Sequence, residues 1–296
     1  MPALIEKTIQ CPSCATVAQS EIKEYHGAGR EHILAIEGLA ECPSCGLVFA
    51  FPMPTEVELE SYYANGDYWH QQVQPCETTH LHSLSQALAR TEWCARYLHE
   101  PPKDVADIGA GYGWQADALV NTFGNSIDRY YFIEPDDNAA ATILNRQLGV
   151  KRSRVLEIGE LPEHDLIFLN QVVEHVAQPI KFLTAASTSL RPGGYVYIET
   201  PHRDDLFKAD IFPHTLFFSE KSLSNQIAKA QLELVSIEEF GRLPSTGFIS
   251  LAQRALFRLG TSTKWRALAI NMDSRLWQYN ARSHGIWLRA LARKPT

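Results

Sequence analysis

Residues 104–114, DVADIGAGYGW, decide the fold. Asp104–Ile108 reads as a short buried strand. Gly109, Gly111 and Gly113 follow at alternate positions, so the backbone there can turn tightly and come close to a ligand. Trp114–Phe123 then carries a helical pattern. A loop at the carboxyl end of a strand, opening a helix, is where doubly wound sheets take their ligands. The spacing is G-x-G-x-G rather than the G-x-G-x-x-G of dinucleotide sites.

The same strand–turn–helix unit repeats outward from this point. Strands are predicted at Arg129–Ile133, Arg154–Glu157, Asp165–Leu169, Tyr195–Glu199 and Leu232–Phe240, and a last one at Gly285–Ala292. Helices are predicted at Asp136–Leu148, Ile180–Leu190 and from a Ser219 cap to Ala230. Alternation of this kind predicts an α/β fold with a doubly wound, mostly parallel, seven-stranded sheet. The last two strands lack a helix of the usual position between them and predict an antiparallel pair at one edge. A helical insertion is expected at about 249–282.

Upstream, Cys11-Pro-Ser-Cys14 and Cys42-Pro-Ser-Cys45 form two CxxC pairs with 27 residues between them. Each tight turn points both sulfurs the same way, which suits one tetrahedral ion. In a chain without a secretory start this doublet reads as a structural Zn2+ ribbon rather than disulfides. With all four positions filled by protein, such a zinc has no open site for catalysis. The ribbon is expected at 1–52, closing on the Pro-rich connector Phe49-Ala-Phe-Pro52-Met-Pro54. A helical linker or lid at 53–100 follows, with an aromatic cluster, Tyr62, Tyr63, Tyr68 and Trp69, and a helix over His80–His99. Residues 101–296 then form the main domain.

Composition narrows the function. The 296 residues carry a net charge of -7, and hydrophobic residues make up 45 %. General nucleic-acid binding is disfavoured, the more so because residues 1–60 hold nine glutamates against Lys7, Lys23 and Arg30. Residues 250–296 are basic, with nine Lys and Arg against Asp273 alone, which suits a phosphorylated ligand, an acidic partner or a membrane surface, or simply a solvated helix face. Mean hydropathy is -0.20, no apolar run approaches the roughly 20 residues of a membrane span, and the N-terminus lacks a basic start before an apolar stretch. A cytoplasmic protein is expected. A homo-oligomer is compatible with the sequence.

The second functional residue is Glu134, 27 residues after Asp107 and at the end of the next predicted strand, where a carboxylate can accept from both hydroxyls of a ribose. DIGAGYGW, FIEPD, LNQVVEHV and LRPGGYVYIETP, in this order, resemble the successive signatures of class I S-adenosylmethionine-dependent methyltransferases, over about 80–296. The ribbon with FPMPTEVELESYYANGDYW also resembles a bacterial subgroup that tailors sugar nucleotides, polysaccharide or antibiotic precursors. The resemblance implies the Rossmann-like methyltransferase fold and S-adenosylmethionine as cofactor. It places Gly109, Gly111 and Gly113 beside the methionine and ribose, with Asp107 supporting that loop or reaching the amino group through water. It places Glu134 on the ribose diol, Pro135, Asp136 and Ile158 around the adenine, and Asn170 and Gln171 at the methionyl end.

For a hydroxyl acceptor the protein must supply position and a base. Candidates follow the Tyr195–Glu199 strand: Glu199, His202 and His214. The stretch HTLFFS resembles the family's pattern of a histidine before an aromatic-Ser helix start, which puts His214 first. Glu174-His175 stands where an RNA-terminal methyltransferase family carries a Glu-x-x-Glu-His metal motif. Gln171 replaces the first carboxylate, so the pair is read as loop structure. The expected function is methyl transfer, O-methyl first, to a small-molecule or saccharide-like acceptor. The alternatives are an RNA methyltransferase that uses its ribbon on RNA, and a non-catalytic module that binds S-adenosylmethionine or a partner.

Overall fold

A computed structural model describes residues 9–18, 23–64, 77–146, 148–243, 251, 255, 263–280 and 286–296. Tyr68, Trp69 and much of the basic insertion lie outside them. In chain order the strands are β1 (Ile9–Gln10), β2 (Val17–Ala18), β3 (Gly38–Glu41) and β4 (Val48–Phe51), followed by helices α1 (Glu56–Ala64) and α2 (Glu77–Ala95). The repeating part is β5 (Asp104–Ile108), α3 (Trp114–Phe123), β6 (Arg129–Ile133), α4 (Asp137–Asn145), β7 (Lys151–Arg154), β8 (His164–Asn170), α5 (Pro179–Thr188) and β9 (Leu190–Pro201). Then come β10 (Leu216–Phe217), α6 (Glu220–Lys229), β11 (Glu233–Gly241), α7 (Thr263–Ser274), β12 (Tyr279–Asn280) and β13 (Trp287–Arg293).

The main sheet runs β12-β11-β13-β9-β8-β5-β6-β7. Its five strands from β9 to β7 are parallel, and β13 lies antiparallel between β9 and β11. Seven strands form the predicted sheet, and the two-residue β12 extends it at the β11 edge. The central strands are apolar on both faces because helices cover both: β5 and most of β8 are buried. Ser219 caps α6 with a capping box to Ser222.

Several boundaries shift by a few residues from expectation, the strand Leu190–Pro201 taking in the expected turn at 191–194, and two differences matter for the architecture. The third strand is Lys151–Arg154, not Arg154–Glu157. It is an edge strand that pairs with β6 among the described residues, so it needs no apolar face, and Leu156, inside the expected strand, is 71 % exposed. The ribbon, expected to end as a unit at 52, shares its sheet with the main domain. β10 pairs with β4, giving the order β10-β4-β3. Cys11, Cys42, Cys45, Leu47 and Phe49 belong to the same buried cluster as Leu216, Leu223 and Ile227. Gln226 donates to Ser13 Oγ at 2.6 Å and Asn225 to the Cys45 carbonyl at 3.3 Å.

Candidate functional site

A cleft of about 660 Å3 opens at the carboxyl ends of β5, β6 and β8. That is within the range of small-molecule and cofactor sites, roughly 300–1,000 Å3. One end is the glycine loop. Gly109 has φ +72°, and a Cβ there would meet Val172 Cγ2 at 2.6 Å. The Gly111 N–H donates to Glu134 Oε2 at 2.6 Å, and the Asp136 N–H donates to Oε1 at 2.9 Å. Glu134 therefore pins the loop it faces.

Asp107 is fully buried at the base of the loop. It accepts from Tyr130 Oη at 2.7 Å and Asn170 Nδ2 at 3.4 Å. Burial, with the charge of Glu134, pushes its carboxyl up to about 7 against the hydrogen bond from Tyr130 and the charge of Arg90. The Oδ1 of Asn170 is buried without a partner. A buried carboxylate short of positive charge beside an orphan acceptor fits an ammonium group. The residues present thus fit the methionyl, ribose and adenine parts of S-adenosylmethionine.

Asp107, Gly109, Gly111, Glu134, Pro135, Ile158, Asn170 and Gln171 all line the cleft. Gln171 does so in a left-handed conformation, φ +55°, with its N–H on the Glu199 carbonyl. Gly113 and Asp136 do not line it. A Cβ on Gly113 would meet Ile143 Cγ1 at 2.7 Å, so this glycine lets α4 pack against the loop. Asp136 caps α4, accepting from the Ala139 N–H.

The three candidate bases are not placed alike. Glu199 is buried and occupied. Arg90 forks onto it at 3.1 and 2.8 Å, and Gln86, Tyr197 and Gln171 also donate to it. Burial works to raise its pKa, but Arg90 outweighs burial and holds the carboxyl below its ordinary range. A carboxylate so saturated positions Arg90 and the loop, and has no free lone pair aimed at an acceptor. His202 lies off the cleft, 3.5 Å from Glu239. His214 does not line the cleft either, but its ring lies 5.0 Å from that of His175, which does.

His175, read from the sequence as loop structure, borders the cleft. Its Nδ1 lies 2.6 Å from Tyr63 Oη, on α1. His214 Nδ1 lies 2.8 Å from Asp204 Oδ2. Burial and the neighbouring His214 hold the His175 imidazole well below its usual pKa. Glu174, buried beside it, is pushed up to about 8, mainly by burial. Ser83, Gln86 and Arg90 of α2 also line the cleft. Their spacing of three and four residues put them on one polar helix face, a signal that was available in the sequence. No described residue of 249–296 lines the cleft, and most of 249–262, on which the expected phosphate role rests in part, lies outside the described residues.

The four cysteine sulfurs converge, all within 4.8 Å of one another. Cys11 Sγ is 3.7 Å from Cys45 Sγ, and Cys14 Sγ is 3.4 Å from Cys42 Sγ. Each knuckle closes with a left-handed residue, Ala15 in the first and Gly46 in the second, whose N–H returns to the first cysteine carbonyl. This donor set fits a zinc ribbon.

Comparisons with known proteins bear on the family and the fold. A family described as a methyltransferase domain matches residues 63–237. The ubiquinone biosynthesis O-methyltransferase of Burkholderia pseudomallei (strain 1710b) is 26% identical over 132 residues, 42% of this chain and 54% of that protein. The malonyl-[acyl-carrier protein] O-methyltransferase of Hahella chejuensis is 27% identical over 113 residues, 37% of this chain and 40% of that protein. The chain thus spans about half the length of the curated relatives it matches. Among solved structures, the plantazolicin methyltransferase BamL, in complex with a triazolic desmethylPZN analog and SAH, aligns with a TM-score of 0.50 and 15% identity. The alignment covers 80% of this chain and 91% of that one. The [4+2]-cyclase SpnF aligns with a TM-score of 0.50 and 14% identity, over 82% and 97%. Neighbours this distant speak for the fold alone. With the glycine loop, Glu134 and the sheet order in place, the chain belongs to the class I S-adenosylmethionine-dependent methyltransferase family.

Proposed function

We propose that this protein transfers the methyl group of S-adenosylmethionine to a hydroxyl of a small acceptor. The observation that carries the reading is a single cleft with two chemically distinct ends. The glycine loop, Asp107, Glu134 and Asn170 suit a cationic nucleoside. Tyr63 and His175, backed by His214 and Asp204, suit a hydroxyl that must shed a proton as its oxygen attacks the sulfonium methyl. The C–S bond breaks, the electron pair stays on sulfur, and the hydroxyl proton passes to the imidazole pair. That histidine pair replaces His214 alone as the activating group. Two O-methyltransferases among the relatives favour oxygen as the methyl acceptor.

Lys181 of α5 and Glu56 of α1, 3.7 Å apart, face each other at the cleft. The four cysteines hold structural Zn2+, and the acidic ribbon is turned to the main domain through β10 and α6, not to a nucleic acid. The test is a methyltransferase assay with S-adenosylmethionine and a panel of hydroxyl-bearing small acceptors, read by mass spectrometry. A product heavier by one methyl supports the reading. Methylation confined to RNA, or S-adenosylmethionine binding with no product on any acceptor class, would sink it.

A further inference from the structure

Behind the acceptor end of the cleft, three donor atoms from two loops meet. A carboxylate oxygen of Glu174 and one ring nitrogen each of His175 and His214 lie within 4.8 Å of one another. Glu174 Oε1 is 3.9 Å from His175 Nε2. Glu174 is fully buried, and neither of its oxygens has a hydrogen-bond partner. An isolated carboxylate in such a place is costly, and proteins keep one when it pairs with a cation. The loop after β8 supplies Glu174 and His175. The segment that leads into β10 supplies His214, 39 residues further along the chain. The two are locked together by Thr215, whose N–H and Oγ1 both donate to the Glu174 carbonyl, at 2.9 and 3.1 Å.

Each imidazole is also oriented from behind. His214 Nδ1 faces Asp204 Oδ2 at 2.8 Å, and His175 Nδ1 faces Tyr63 Oη at 2.6 Å. With the proton on Nδ1 in both rings, each Nε2 keeps its lone pair, and that of His175 lies 3.9 Å from Glu174 Oε1. A carboxylate on the outer nitrogen of a histidine is the usual support of a metal ligand. We infer that Glu174, His175 and His214 form a divalent-cation site at the acceptor end of the cleft. Two neutral imidazoles and one carboxylate suit a first-row transition ion such as Zn2+, Co2+ or Fe2+, and suit Mg2+ or Ca2+ poorly. Ligand distances of about 2.0–2.2 Å need the three donors to close in slightly from where they stand. Because three protein ligands leave a coordination position open, and His175 borders the cleft, the ion would hold the oxygen of the acceptor. With the ion in place the two imidazoles are its ligands and no longer the base, and the ion would take over activation of the acceptor hydroxyl, whose proton then leaves to water; that location rests on the methyl-transfer reading, and the cation site itself does not.

The test uses full-length protein carrying one zinc per chain in its ribbon, dialysed against Co2+, with both metals counted by elemental mass spectrometry. The expected result is one cobalt per chain with unchanged zinc. Its visible spectrum should show nitrogen and oxygen coordination and no thiolate-to-cobalt charge transfer. Glu174→Gln and His214→Ala should lose the cobalt and keep the zinc, and Asp204→Asn should weaken cobalt binding by about 10–100-fold. Cobalt uptake only with loss of zinc, no uptake at all, or uptake unchanged in His214→Ala overturns the site. Calorimetry with S-adenosylhomocysteine on the same samples reports folding and the cofactor end. Intact binding there with no cobalt site rejects the cation and leaves the methyltransferase reading standing.

Discussion

At the glycine-loop end of the cleft, every group sits at the tip of a parallel strand or one turn beyond it. Asp107 and Gly109 follow β5, Glu134 follows β6, and Asn170 ends β8. At the histidine end, the groups come from places far apart in the chain. Tyr63 is on the linker helix, His175 is on the loop after β8, and His214 lies just before the strand that joins the ribbon sheet. The ribbon region grips this end directly: Tyr25 Oη donates to the His214 carbonyl at 2.8 Å, and the Ile211 N–H donates to the His26 carbonyl at 2.9 Å. One end is written into the sheet; the other also draws on the linker helix and on a segment held by the N-terminal ribbon.

The sharpest way to break this division is His175→Ala. Loss of an acid–base or metal-ligand imidazole is expected to lower kcat by about 10²–10⁴-fold, while calorimetry finds S-adenosylhomocysteine binding unchanged. If cofactor binding falls equally, the two ends are one unit.

A second test uses pH. Asp107 is raised from its ordinary 3.8 to about 7. A bound cation favours the ionised form, so cofactor affinity should fall about tenfold per pH unit below 7 and level off above it. The sign for folding is opposite. The folded state holds this proton more tightly than the unfolded state, so the contribution of Asp107 to stability falls as pH rises from about 4 to 7. Asp107→Asn should flatten the affinity profile, measured by titration calorimetry in buffers of increasing pH.

The ribbon offers a third. Cys42→Ser should cost about 3–5 kcal/mol, or roughly 10 °C in Tm at this chain length. Amide exchange at Thr215, bonded to the Glu174 carbonyl, should speed up more than exchange at Gly111. Equal loss of protection at both amides would mean that the ribbon supports the whole domain evenly. The smallest effect is expected for His202→Ala. Its ring faces Glu239, away from the cleft, so kcat/KM should stay within about twofold of wild type, as for surface changes generally.

The same division explains what could be read from the chain. The strand tips were legible because a glycine spacing and a strand-end carboxylate are local features, and eight of the expected cofactor residues do line the cleft. Gly113 and Asp136 share the local pattern but serve α4, through packing and capping, and the sequence alone does not separate the two uses. The histidine end was only half legible. His214 stood out by its motif, but its contact with His175 depends on β10 pairing with β4, more than 160 residues apart in sequence. Glu199 looked like a base because it is a carboxylate at a strand end. Its partner Arg90 is 109 residues away on a helix, and no local pattern announces the pair.

The most direct measurement is calorimetric titration of zinc-loaded protein with S-adenosylhomocysteine, wild type against Glu134→Ala. Glu134 holds the loop through two charge-assisted hydrogen bonds at about 1.5 kcal/mol or more each, so the variant should bind at least about 100-fold more weakly. Absence of heat with the wild type, or equal affinity in the variant, contradicts the assignment of the glycine-loop cleft to this cofactor.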